Sequence, residues 1–202
     1  RHGGGTLMAT NIQVNQDQVD EIRRLLTDIS NGAERAIKTS LNRTLDGAVT
    51  LTAKRIGETV TLKSAMIKDN ITKHRATNYE LGAMMRMKSR RMPLAAFTTN
   101  PTAANMFSRD SGNGVSVKVF KNKPPVRFRH AFFARLQNGY IGLFDRRSSK
   151  RLPIDELKGP YLASVYENTP GLGYEVEQTS AERLQNELAH QVDYLLGLAA
   201  SA

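Results

Sequence analysis

Cysteine and tryptophan are absent from the 202 residues, and histidine occurs only four times. Without cysteine the chain has no disulfide, no thiolate nucleophile and no cysteine-ligated zinc or iron–sulfur centre. The histidines, His2, His74, His130 and His190, stand far apart, and none pairs with another at metal-ligand spacing. His130, in the run RHAFF, has the chemistry of a general base, but such a residue is more often a strand-edge or core histidine. No HExxH motif, Walker-type phosphate loop or GxSxG elbow occurs. The nearest glycine cluster, Gly171 to Gly173, opens no βαβ unit. Asp155 and Glu156 are adjacent, so on a helix they would point about 100° apart, and they read as first-turn dipole partners. Neither an enzyme nor a cofactor or metal site is expected.

Long apolar runs are missing too. No stretch approaches the roughly 20 residues that span a bilayer, so an integral membrane protein is not expected. The opening RHGGGTLM lacks the apolar core of a signal peptide and reads as a leader remnant, with Met8-Ala9 as the natural start. Residues 1–14 are taken as a flexible N-terminus.

What the chain has is positive charge, unevenly spread. Lys and Arg number 29 against 19 Asp and Glu, a net charge of +10. Residues 1–53 balance, residues 54–151 carry 21 basic against five acidic side chains, and residues 152–202 carry two against eight. That division favours contact with polyanions, or contact between copies through opposite patches.

The pattern of apolar residues predicts an α+β fold: a long N-terminal helix and a short second helix against an antiparallel sheet, with a C-terminal helix. Four regions are read: 1–14, a helical region 15–75, a β-rich core 76–168, and a linker with the C-terminal helix 169–202. After Asn15, a plausible N-cap, Ile22, Leu26, Ile29, Ala33, Ile37, Leu41, Leu45, Val49, Ala53 and Ile56 recur in steps of three or four. Asn31-Gly32 is a soft point, yet one long helix with a bend is favoured. A second helix in TLKSAMIKDNITKH is expected to turn Leu62, Ala65, Met66 and Ile71 inward. Met85 and Met87 alternate with Arg86 and Lys88 as in a strand, and Pro93 marks an edge. Residues 98–113 are rich in small and turn residues and read as a mobile loop. Val115, Val117 and Val119 alternate as in a half-buried strand, and HAFFARLQNGYIGLFDRR reads as a hairpin with Asn138-Gly139 at its turn. PYLASVYEN suggests a short helix. Thr179 and Glu182 form a capping box for the last helix, whose stripe is Ala181, Leu184, Leu188, Val192, Leu195 and Leu198.

The central block is where binding chemistry concentrates. Lys118, Lys121, Lys123, Arg127, Arg129 and Arg135 precede or enter the hairpin, and Arg146, Arg147, Lys150 and Arg151 follow it. Phe120, Phe128, Phe132, Phe133, Tyr140 and Phe144 are interleaved. Single-strand-binding sheets combine basic groups with exposed aromatics, but large aromatics among alternating strand residues usually belong to the core. Lys and Arg are costly to bury, so this region must present a positive surface, suited to phosphate contact without base reading.

Four stretches, RAIKTSLNRTLDGAVTLTAKRI, SRRMPLAAF, FFARLQNGYIGLFDR and KRLPIDELKGP, together resemble the minor tail protein Z family of long-tailed bacteriophages and prophages, over roughly residues 33–166. The most specific part is Phe132, Ala134, Leu136, Gly139, Gly142 and Phe144, then Arg151, Leu152, Pro153, Ile154, Glu156, Leu157, Gly159 and Pro160. The loop 98–113 is longer and more polar than the family pattern. The resemblance implies a non-enzymatic virion component that completes the tail at the neck and takes part in head–tail joining. It would be assembled in the host cytoplasm with other tail and neck proteins, and by analogy forms a hexameric ring around the DNA channel. On this reading Gly139 and Gly142 let the hairpin turn, Phe144 packs inward, and Pro160 stops a short helix after the rigid Leu152-Pro153-Ile154. The basic turn 146–151 then projects outward, toward DNA in the lumen or toward the acidic C-terminal region of a neighbour.

Overall fold

The computed structural model describes residues 9–97, 114–147 and 152–201. Along the chain come β1 (Ala9–Gln13), α1 (Gln16–Leu25), α2 (Gly32–Thr59), α3 (Ser64–Asp69), β2 (Ile71–His74), β3 (Gly82–Met87) and β4 (Arg91–Pro93). A 3-10 turn, Leu94–Phe97, follows. Next are β5 (Val115–Val117), β6 (Val126–Phe128), β7 (Phe132–Arg135), β8 (Ile141–Arg146), β9 (Ile154–Glu156) and β10 (Lys158–Tyr161), then α4 (Leu162–Asn168) and α5 (Leu172–Ala200). The class is α+β, as the apolar pattern predicts.

Asn15 caps α1: its side-chain oxygen accepts the Gln18 backbone N–H at 2.8 Å. The long helix is not continuous, however. Asn31 adopts a left-handed φ of 51° directly before Gly32, so the chain turns between α1 and α2. Asn is among the few side chains that tolerate this conformation, because its short amide can bond locally. The apolar steps read along the sequence still face inward, with Ile22, Leu26, Ala33, Ile37, Leu41, Leu45, Val49, Ala53 and Ile56 buried and Ile29 packed against them. Ala36, Ser40, Thr44, Ala48 and Thr52 are buried as well, so α2 is covered on more than one side.

One cover is α5. The two helices run antiparallel: Arg43 Nη1 lies 3.1 Å from Glu187 Oε2, and Arg55 Nε lies 2.8 Å from Glu175 Oε2. Between these pairs, Gly47 admits Arg183 so closely that a Cβ there would stand 2.7 Å from its Nη1. The helix starts earlier than the expected capping box. Gly171 takes a φ of 72° and the helix opens at Leu172, leaving Thr179 and Glu182 exposed within it. Burial of Leu172 and Val176 holds these extra turns in place. Leu184, Leu188 and Leu195 are buried and Val192 is half-buried, whereas Ala181 and Leu198 face solvent.

The other cover is a three-stranded antiparallel sheet in the order β1-β3-β2. Residues 9–13 are therefore not a flexible leader; they pair with β3 from Ala9 opposite Arg86 to Gln13 opposite Gly82. Met85 and Met87 point inward and Arg86 outward, as alternation requires. The connection between β2 and β3 is tied to α2 by Asn42, whose amide exchanges two 3.0 Å hydrogen bonds with the Ala76 backbone. Helix α3 is shorter than expected, because Ile71 already belongs to β2; Ile67 is its buried residue, and Ala65 is exposed.

The expected single sheet is divided. The remaining strands form the pairs β10-β4 and β5-β6 and the triplet β7-β8-β9, all antiparallel. Pro93 sits at an edge in β4, where its missing N–H is tolerated. The segment after Pro153 is strand, not the expected short helix, and Pro160 lies within β10. Gly159 is buried because the fully buried Phe97 ring presses on it: a Cβ would stand 2.7 Å from Phe97 Cε2.

Candidate functional site

The β5–β9 region is pinned to the C-terminal end of α2. Thr61 N–H donates to Val119 O at 3.0 Å and Lys121 N–H to Thr59 O at 2.9 Å. Thr61 Oγ1 also bonds Lys118 O. From this base Lys121 and Lys123 stand out before Pro124-Pro125, with Lys123 Nζ 5.2 Å from the Phe120 ring centroid. Lys118 is half-buried, while Arg127 and Arg129 flank Phe128 on exposed positions and Arg135 ends β7 in solvent. Among the described residues, Lys118, Lys121, Lys123, Arg129 and Arg135 make no ion pair.

At the start of the tip the charges are partly engaged. The Arg146 guanidinium lies 4.9 Å from the Phe132 ring centroid, and Arg147 pairs with Asp155, its Nη2 2.8 Å from Oδ1. That hydrogen bond holds the Asp155 carboxyl below the usual carboxylate range and raises the guanidinium. Lys150 and Arg151 lie outside the described residues, as does the loop 98–113.

The hairpin supports this surface through small residues and rings. Gly139 takes a φ of 81° at the turn, and Leu136 N–H donates to Tyr140 O at 2.8 Å. A Cβ on Gly142 would stand 2.9 Å from both Phe144 Cε2 and Tyr140 Cε1, so glycine lets the two rings close over the strand. Leu143 and Phe144 are both buried although they point to opposite faces. Phe144 is covered by Phe132, with ring centroids 6.5 Å apart. The Tyr140 hydroxyl bonds Glu156, and partial burial with that carboxylate raises the phenol to about 12. Leu152 is 65% exposed and Pro153 follows it in solvent, while Ile154 is half-buried opposite Arg146.

Two expectations about chemistry can be set against this arrangement. Phe120, Phe128 and Phe133 pack against the core and Phe144 is buried, so the aromatics do not form an open stacking platform. The basic strands sit at the C-terminal end of α2, whereas acidic side chains of α5 are spread along it. This helix of 28 residues is about 42 Å long. Thr59 meets Lys121 at its C-terminal end, Arg55 meets Glu175 one turn earlier, and Arg43 meets Glu187 near its middle.

Sequence reasoning did not single out Glu21, Glu177 and Asp193 as binding residues; they line two adjoining cavities beside α5. Their only signal is position, on the polar flanks of two apolar stripes that sequence alone cannot place side by side. Among the described residues, no group of three or more His, Asp or Glu could hold a metal ion, and no helix is long and apolar enough to cross a membrane.

No curated protein and no solved structure matches this chain. The family model of prophage minor tail protein Z (GPZ), however, matches residues 12–201, from the first sheet strand to the end of α5. The chain belongs to the prophage minor tail protein Z family.

Proposed function

We propose that this phage tail protein completes the tail at the neck, with copies arranged head to tail in a ring and the basic surface of each as a docking surface. The observation that carries this reading is a pair of unlike surfaces: among the described residues, exposed Lys121, Lys123, Arg129 and Arg135 make no ion pair, while the charged lining of the cavities beside α5 is Glu21, Glu177 and Asp193. An interface that joins unlike surfaces of identical chains closes into a ring when its rotation allows. Complementary charge on the two surfaces would steer such an encounter and fix its register. The chemistry asked of the chain is binding alone.

Contact with DNA is the second reading. It is favoured by Lys121, Lys123, Arg129 and Arg135, which are exposed and outside any ion pair among the described residues. Phosphate contact of this kind would be indifferent to sequence and would weaken steeply with salt.

The test is a variant with Lys121, Lys123, Arg129 and Arg135 all changed to Gln, supplied to tails that lack the native chain. Circular dichroism and thermal unfolding matching the native chain would establish its fold. The expected result is a folded protein that no longer yields tails competent to join heads. A folded variant that completes tails as well as the native chain overturns the docking role. Duplex binding that is unchanged by the four substitutions overturns the second reading.

A further inference from the structure

The edge of β1 opens into a groove against α5. Among the described residues β1 pairs only with β3, and alternate residues of a strand turn their N–H and C=O groups away from the paired side. Thr10 to Gln13 line a cavity of about 250 Å³ together with α5. Gln18, Gln185 and Leu188 line both this cavity and a second one of about 320 Å³ between α1 and α5. Ile22, Leu188 and Val192 give the second cavity an apolar lining, and Leu25 beside them is 52% exposed.

One further observation points to an occupant. The charged side chains lining the groove are Glu21, Glu177 and Asp193, all exposed, with no Lys or Arg among them. The same chain carries, beyond the C-terminal end of α2, a cationic region whose exposed residues include Val126 at 58% and Leu152 at 65%.

We propose that this groove takes an extended segment from the basic region of a second copy, added as a strand to the open edge of β1. Main-chain hydrogen bonds along β1 would supply attraction, the three carboxylates would select a basic segment, and Leu25 and Val192 would seat an apolar side chain. The proposal rests on the head-to-tail reading and gives that contact a location.

The experiment is hydrogen–deuterium exchange of the purified full chain across a concentration series, with mass measured in parallel. As copies associate, amides in residues 10–13 should slow by about tenfold or more, as expected for newly bonded backbone groups. The triple variant Glu21→Lys, Glu177→Lys, Asp193→Lys alters only exposed side chains; it should keep the monomer's exchange pattern and lose both the association and the β1 protection. Association with β1 exchanging at the monomer rate overturns the groove proposal and leaves the head-to-tail reading standing. Protection that needs a different tail protein overturns a second copy as the occupant. A chain that stays monomeric throughout overturns both.

Discussion

Gly47 of α2 lies beneath Arg183 of α5, where an added Cβ would stand 2.9 Å from the arginine Cδ and 2.7 Å from Nη1. The arginine is about half exposed and its ion pair with Glu187 is long at 3.5 Å, so the side chain can swing away. Glycine within a helix costs about 1 kcal/mol relative to alanine. Gly47→Ala should therefore raise the thermal midpoint by a few degrees, and Gly47→Leu should lower it by prising the helices apart. Thermal unfolding followed by circular dichroism checks both.

Gly159 presents the opposite case. The ring that a Cβ would meet belongs to Phe97, which is 1% exposed within the core, and Leu94 Cδ1 would stand only 3.4 Å from the same Cβ. Overpacking such a site costs about 1–3 kcal/mol. Gly159→Ala should be clearly destabilising in a urea titration, and Phe97→Leu in the same chain should recover part of the loss. Purely local backbone effects would give no recovery.

Asp46 ties α2 to the strand region. Burial would raise its carboxyl, but hydrogen bonds from Lys73 and Arg75, at 2.8 and 2.9 Å, outweigh burial and hold it below the ordinary 3.8. Because the folded value is depressed, the stabilisation is present above the unfolded value and is lost as pH falls through the folded one. Asp46 is 45% exposed, which limits the effect to ~0.5 kcal/mol after solvent screening. Asp46→Asn should lose this amount at neutral pH and match the native chain in strong acid, as read by urea unfolding across pH.

Tyr140 gives the alkaline counterpart. Its phenol is raised to about 12 by partial burial and by the Glu156 carboxylate. The folded state therefore holds the proton longer than the unfolded chain does. Stability from this group is complete below about pH 10 and declines as pH rises toward the folded value. Tyr140→Phe should remove one late step from an absorbance titration of the tyrosinates and flatten the alkaline loss of stability.

Much of this fold is legible in the sequence where local chemistry and tertiary packing agree. Asn15 caps its helix, Met85 and Met87 alternate inward, and Asn138-Gly139 turns its hairpin. The failures arise where packing overrides local signals. Thr179 and Glu182 form a good capping pattern, yet the helix extends back to Leu172 because Leu172 and Val176 gain a buried face. The stripe from Ile22 to Ile56 has one unbroken period, but Asn31 reverses its φ and divides it. Residues 154–160 resemble a helix start, whereas pairing with β8 and β4 makes them strands. The candidate surface divides in the same way. Local sequence identifies its basic residues, but only the fold brings Asp155 to Arg147 and lines the groove beside α5 with Glu21, Glu177 and Asp193.

The most direct measurement is an image of the assembled tail end, at a resolution that traces β5–β9 and α5 in every copy. The account predicts that the cationic strands of each copy lie against the carboxylate-lined groove of the next around a closed ring. Finding those strands bathed in solvent, with neither a neighbouring copy nor nucleic acid beside them, would contradict it.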